Sequence, residues 1–189
     1  MRKKAIKKCE KSLEKNWNVR LKTKHPRGDN YDGIVVTIKD SFIVLREECD
    51  FEFDGVIILV KDFIKSCRDG KVEKCCNEII RLNGEIDKIG KTEWLNSCEN
   101  IKQVLEEMMK RDIWPAIEIL FKFNKCIQTA LYLGPITSCN KKSFFLKCYD
   151  ASGQWEKVYE LEYNEIFRIE FNSKYCDHFN HYMKTKNGA

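Results

Sequence analysis

Apolar positions along the 189 residues fall in two similar waves, each a helix-spaced segment, a set of short strand-like runs and another helix-spaced segment. Residues 3–15 read as a helix with Ile6, Cys9 and Leu13 on one side and lysines on the other. Trp17–Leu21 alternates as a first strand, and His25–Asn30 gathers turn formers. Tyr31–Lys39 and Ser41–Glu48 read as strands joined tightly at Lys39-Asp40, and Cys49–Gly55 as an acidic connection. Val56–Val60 is an apolar run short enough for a buried strand, and Ile64–Arg68 completes the set. From Lys71, residues Val72, Cys75, Cys76, Ile79 and Ile80 recur at helical spacing, with Gly84 as the stop.

Glu85–Leu95 is poor in apolar residues and reads as a linker in which Ile86, Ile89 and Trp94 are free to pack. Asn96 with Glu99 has the form of a capping box ahead of a helix that aligns Ile101, Val104, Leu105 and Met108. The second set of strands is Trp114–Phe123, Cys126–Cys139, Ser143–Tyr149, Trp155–Tyr163 and Ile166–Phe171, with Asn124-Lys125 as a turn. A last helix, Lys174–Lys184, lines up Tyr175, Phe179, Tyr182 and Met183, and a disordered tail is expected after it.

Self-comparison accounts for the two waves. At an offset of 101, Gly33 falls on Gly134, Leu45 on Leu146 and Arg46 on Lys147; at 102, Phe53 meets Trp155 and Leu59 meets Leu161; at 103, Asn77 meets Asn180 and Arg81 meets Lys184. Trp17 and Trp114 each follow a helical segment. Tandem duplication is the expectation, with unit 1 at 1–83, a linker at 84–96 and unit 2 at 97–185. Short connections make the strands antiparallel, and five such strands favour closure into a small barrel. The expected class is therefore α+β, mainly β with flanking helices: two five-stranded Sm-like (SH3-like) barrels, each preceded and followed by a helix.

The second half resembles a group of uncharacterised bacterial Sm-like proteins. Their approximate D-I-x-R-I-x-x-x-S-K-Y pattern is matched by Glu165-Ile166-Phe167-Arg168-Ile169 and Ser173-Lys174-Tyr175. Tyr31-Asp32-Gly33 and Asp54-Gly55-Val56 match more loosely in the first half. The resemblance implies a fold and carries no activity. Measured against RNA-binding Sm proteins, Asp40 lies seven residues after Gly33 rather than six, and no asparagine follows it. Asn140 lies six after Gly134, and the I-R-G turn is missing from both halves. The ring-type RNA pocket is therefore not expected.

Composition narrows the functions. With 43% hydrophobic and 33% charged residues the chain reads as an ordinary water-soluble protein, and no apolar run approaches a bilayer span. The basic start lacks a following apolar stretch, so a cytoplasmic location without a signal peptide is expected. Ten cysteines then read as reduced thiols, mostly acting as small core hydrophobes, as at Cys67, Cys75, Cys76, Cys139 and Cys148. No C-x-x-C pair is present, so neither disulfides nor zinc are expected.

Charge is uneven. Residues 1–27 hold 11 Lys/Arg against two Glu, a net of +9, and the remainder nets −4. A basic amino-terminal arm suits a polyanion, with Arg2, Lys3, Lys4, Lys7, Lys8 and Lys11 as candidate RNA contacts; the plainer reading is a hydrated helix face. Cys176, Asp177, His178 and His181 have the spacing of a metal grip but no distant fourth ligand, so no metal is assigned. Glu47-Glu48, Asp50/Glu52/Asp54 and Glu160/Glu162 lack a nucleophile or base beside them, and Walker, G-x-S-x-G and dinucleotide motifs are missing. Neither catalysis nor a cofactor is expected. Aromatics interleave with lysines in Trp17–Lys24 and Phe121–Lys125, which read first as core. The leading expectation is a non-catalytic interaction module that binds a protein or peptide through an exposed sheet edge; RNA is the alternative partner, and no membrane partner is expected.

Overall fold

The computed structural model describes residues 2–85 and 92–187, without the side chains of Arg2 and Asn187. Within them lie four α-helices and eleven strands, a mixed α+β fold. Its two compact units are Met1–Cys98 and Glu99–Ala189. Ile86 and Ile89 lie outside the described residues, as does the end of the expected tail. No helix among the described residues is long and apolar enough to cross a membrane.

Unit 1 runs α1 (Arg2–Lys15), β1 (Asn18–Thr23), β2 (Asn30–Ile38), β3 (Phe42–Cys49) and β4 (Glu52–Val60). A 3-10 turn at Lys61–Phe63 leads into β5 (Ile64–Arg68), and α2 (Lys71–Leu82) follows. The strands lie in the order β5-β1-β2-β3-β4, and every ladder between these neighbours is antiparallel. Bulges at Lys22/Thr23, Val35/Thr37 and Arg46/Glu48 bend the sheet. It closes over Leu21, Ile34, Val35, Ile43, Leu45, Ile57 and Leu59, all buried.

The acidic stretch 49–55 is not a loose connection. Asp50 and Phe51 adopt φ of +50° and +68° and form a two-residue turn, so β4 starts at Glu52. Glu52, Phe53 and Asp54 alternate exposed, buried and half-buried, a strand rhythm that their charge conceals.

Both helices of unit 1 turn unexpected faces inward. In α1 the buried row is Ala5, Cys9 and Ser12, while Ile6 is half-buried and Leu13 is exposed. The Ser12 hydroxyl donates to the Trp17 carbonyl and accepts from the Val35 amide at 3.1 Å, tying helix, strand entry and β2 together. In α2 the buried residues are Glu73, Asn77 and Ile80, and Val72 and Leu82 are 57% and 87% exposed. Glu73 draws this face inward by accepting from Arg68 Nε at 2.6 Å and from the Gly70 amide at 2.8 Å.

Unit 2 runs α3 (Ile101–Lys110), β6 (Ala116–Phe123), β7 (Cys126–Leu133), β8 (Ile136–Cys139), β9 (Ser143–Tyr149) and β10 (Trp155–Glu162). A 3-10 turn at Tyr163–Glu165 precedes β11 (Ile166–Phe171), and α4 (Lys174–Asn187) ends it. The strand orders are β11-β6-β7 and β10-β9-β8. The stretch expected as one strand, Cys126–Cys139, is therefore two. Gly134, at φ +145°, and Pro135, which has no amide hydrogen to give a ladder, break it.

Helix α3 is capped one turn later than its sequence suggests. Asn100 accepts from the Gln103 amide at 3.1 Å, and Gln103 accepts from the Glu99 amide at 2.6 Å. Asn96 instead takes the Thr37 hydroxyl at 2.9 Å and, through its carbonyl, the Lys39 ammonium at 2.7 Å. Ile101, Val104, Leu105 and Met108 are buried, as their spacing predicts. In α4, Met183 is buried, but Tyr175 and Tyr182 are exposed.

Two glycines mark the same bend. A Cβ on Gly33 would stand 2.2 Å from the Arg46 carbonyl oxygen, and one on Gly134 would stand 2.0 Å from that of Lys147. Both φ values are positive, +159° and +145°. Only glycine lets these strands cross so closely over their neighbours. The ladders are antiparallel sheets, not continuous closed barrels: unit 1 has an open strand order and unit 2 has two sheets. The break at Gly134-Pro135 is the physical reason in unit 2.

Candidate interaction surface

The lysines of the amino-terminal segment belong to a packed helix rather than a free arm, because α1 buries its Ala5–Cys9–Ser12 row. Lys3, Lys4, Lys7 and Lys11 are exposed, while Lys8 is half-buried and paired with Asp69. That hydrogen bond raises the Lys8 ammonium above its ordinary value. Lys3 and Lys7 line a cavity of about 470 Å³ with Ile6, Glu10, Asp40 and Lys61, so carboxylates stand among the cations. Arg2 lies in α1, and its side chain is outside the described set.

The other grouped residues are mostly structural. Cys176 is buried, with its thiol pushed up to about 11 by burial, whereas His178 and His181 are exposed and line different cavities. Helix α4 therefore does not bring these three together. His25 is buried, with Nδ1 3.1 Å from the Asp29 carboxylate. Glu48 takes the Phe51 amide at 2.7 Å, which staples the β3–β4 turn. Glu160 accepts from the Ser143 hydroxyl at 2.7 Å. In the segment 165–176, Arg168 bridges Glu118 and Glu170, each at 2.7 Å, and Ser173 accepts the Cys176 amide at 3.2 Å at the start of α4.

Trp17 and Trp114, whose matching repeat positions suit a shared core role, are exposed and half-buried, and each stands beside a cavity. In unit 1, with the Asn77 amide assigned the orientation that satisfies both neighbours, it donates to the Asn16 carbonyl at 3.2 Å and accepts from Arg81 Nε at 3.1 Å. Arg81 also reaches the Lys15 carbonyl, and Lys15 Nζ lies 4.5 Å from the centre of the Trp17 ring. In unit 2, Asn180 donates to the Trp114 carbonyl at 2.9 Å, and Lys184 Nζ lies 4.6 Å from the Trp114 ring centre. Lys184 also pairs with Asp112, holding that carboxyl below its ordinary range. The adjoining cavities measure about 340 Å³ and 300 Å³. In both units an asparagine and a cation four residues on moor the last helix to the chain entering the first strand.

The β6–β7 hairpin and its Asn124-Lys125 turn stand where the sequence places them, but Phe121–Lys125, read first as core, is largely exposed. Asn124 and Lys125 have φ of +48° and +65°, a two-residue turn that carries the hairpin outward. Phe121 is half-buried, and Phe123 and Ile127 are 60% and 53% exposed, with Leu131 at 45%. Ile127 and Leu131 share one face of β7, with Lys122 opposite Ile127. Phe123 lies on the other face, as does Tyr132, whose ring centre is 5.0 Å from that of Tyr159.

Edge chemistry separates β7 from β5, β8 and β10. Strand β5 carries Lys65 and Arg68, and β10 carries Glu156, Lys157, Glu160 and Glu162. Strand β8 spans only four residues. Charge and shortness are the usual protections of a sheet edge. β7, CIQTALYL, has eight residues with no charge and no proline. The sequence marks a strand here, but not its position at the end of a sheet.

No family model matches the chain, and neither a curated protein nor a solved structure shows significant similarity to it.

Proposed function

We propose that this chain is a non-catalytic interaction module made of two Sm-like units, and that it binds a protein partner by adding that partner's strand to β7. The carrying observation is the unprotected edge: eight uncharged residues, with Ile127 and Leu131 exposed on one face. Strand addition uses such an edge for backbone hydrogen bonds and reads alternate side chains for specificity. Lys122 and Lys125 at the hairpin end favour a partner strand with acidic residues at the matching end. The Sm-like part of the reading is supported by the order β5-β1-β2-β3-β4 after a helix. Further support comes from a 3-10 turn before the last strand of each unit and from the paired bends at Gly33 and Gly134.

RNA is the second reading, favoured by the exposed Lys3, Lys4, Lys7 and Lys11 on α1. Fluorescence anisotropy separates the two. A labelled peptide alternating valine with glutamate should bind the full chain, and Leu131→Lys with Ile127→Lys should abolish that binding. Single-stranded RNA should bind weakly at most, with a log–log salt slope of about −0.7 per contacted phosphate. Submicromolar RNA binding at physiological salt, lost when Lys3, Lys4, Lys7 and Lys8 become Gln, would replace the first reading by the second.

A further inference from the structure

Strand β7 has β6 on one side only, so successive residues turn their backbone groups alternately toward β6 and toward the open side. The two-residue turn at Asn124-Lys125 makes Phe123 and Cys126 the closing pair, whose amides and carbonyls bond each other. The same parity holds at the far end, where the Gly134 amide donates to the Pro115 carbonyl at 3.4 Å. Even-numbered residues of β7 therefore direct their backbone groups to β6. Ile127, Thr129, Leu131 and Leu133 turn theirs away from it, and this is the set that carries the exposed Ile127 and Leu131 side chains.

We propose that the strand added to β7 is the β7 of a second copy of this chain, paired antiparallel about a two-fold axis through Thr129. This rests on the strand-addition reading above and names its partner. Residues that bond across such a junction must both face it, so odd-numbered residues pair with odd-numbered ones. Within that rule the two strands overlap furthest when centred on Thr129 or on Ala130. Centring on Ala130 sets Leu131 against Thr129. Centring on Thr129 sets Ile127 against Leu131 of the second copy, Leu131 against its Ile127, and Thr129 against Thr129. Apolar then meets apolar and hydroxyl meets hydroxyl, the cross-strand pairings that stabilise a ladder. These three pairs supply about six backbone hydrogen bonds.

Charge agrees with this direction of pairing. The turn end of β7 carries Lys122 and Lys125. Toward the other end, the Tyr132 ring centre lies 5.0 Å from that of Tyr159, whose hydroxyl donates to Glu156 at 3.1 Å. An antiparallel junction brings the lysine end of one copy to the Glu156 end of the other. Lys125 falls opposite Leu133, so like charges do not meet across the strands. A parallel junction would stack the two lysine ends on each other.

The same surface serves both copies, so the junction is isologous and occupies both open edges at once. Assembly therefore stops at two copies. One strand ladder with two apolar pairs is a small interface, which sets the affinity in the micromolar rather than the nanomolar range.

The test is sedimentation equilibrium of the full chain under reductant, from low-micromolar to submillimolar concentration. Monomer should pass into dimer and into nothing larger. Thr129→Pro removes an amide that β6 does not use, and it should abolish the dimer while the circular dichroism stays that of the parent. Should that variant fold poorly, Ile127→Lys with Leu131→Lys tests the same edge. The register is read with Thr129→Cys in a Cys126→Ser background. Opposed Cα atoms about 5.5 Å apart lie within disulfide reach, so peptide mapping of the oxidised dimer should join the two introduced thiols to each other. A chain that stays monomeric while the valine–glutamate peptide still binds, and loses it on Thr129→Pro, overturns the second copy as partner and leaves strand addition standing. A chain that neither dimerises nor binds the peptide removes both. A dimer indifferent to Thr129→Pro, or growth into larger particles, equally overturns the proposal.

Discussion

In unit 1 the terminal strand β5 carries two cations, and α1 supplies a neighbour whose Lys8 reaches Asp69 just beyond the strand. In unit 2 the terminal strand β7 runs eight residues without a charge and holds Ile127 and Leu131 in the open. Each unit bends its second strand at a glycine, and each moors its last helix through an asparagine. What differs is the treatment of the sheet edge. A charged edge disfavours an added strand, and a bare one admits it. Similar internal mechanics therefore coexist with different outward chemistry.

The internal likeness is broken most forcefully at the bends. Gly33→Ala and Gly134→Ala each push a Cβ to within about 2.2 Å of a backbone oxygen, and backbone cannot rotate aside as a side chain can. Each should cost about 3 kcal/mol or more in urea unfolding. If one substitution is tolerated, the two bends do not serve the same purpose.

The helix moorings come next. Asn77→Ala and Asn180→Ala should each cost about 1–3 kcal/mol, because each leaves a backbone carbonyl without its donor. Asn180 also accepts the Tyr149 hydroxyl at 2.8 Å, so its loss should lie toward the upper end. Equal losses at both sites would show that this additional bond contributes nothing.

Acid should separate the units. Burial pushes the Glu73 carboxyl up, but Arg68 and the backbone amides of Glu73 and Gly70 outweigh it, so its folded value lies below the ordinary one. A depressed carboxylate contributes stability that is present above the unfolded value of about 4.3 and is lost as pH falls through the folded value. Glu73→Gln should cost about 1 kcal/mol at neutral pH, a figure held down by the exposure of Arg68. As pH falls through the depressed folded value the variant and the parent should converge. A constant gap from pH 7 to pH 3 would mean that packing, not charge, holds Glu73 in place.

Strand and helix positions were largely legible in sequence, because apolar periodicity reports which backbone geometry can bury a stripe. What escaped was which stripe is buried. In α2, Val72 and Cys75 of the apolar row are exposed, Cys76 and Ile79 are half-buried and Ile80 is buried, while Glu73 and Asn77 face in beside it. Their attraction comes from Arg68 and Asn16, partners that periodicity does not register. The break of Cys126–Cys139 was marked by Gly134-Pro135, a pair that reads as punctuation once the strand is known to bend. The bare edge of β7 was not legible, since pairing order is a property of the folded sheet.

The smallest effect on stability carries the sharpest test of the edge comparison. Leu131→Lys gives β7 the kind of charge that β5 already has at Lys65. Leu131 is 45% exposed, so the change should alter urea stability by no more than about 0.5 kcal/mol. A lysine at an open edge opposes the approach of another strand, because its charge would have to be desolvated against the incoming backbone. Peptide binding and any concentration-dependent self-association, followed by light scattering, should therefore fall together while the fold persists. Lys65→Val makes the converse change in β5, and it should produce little association as long as Arg68 remains. If Leu131→Lys unfolds unit 2, the side chain is a packing residue and the edge is less open than its exposure indicates. If association persists unchanged, the occupant of this chain does not use β7.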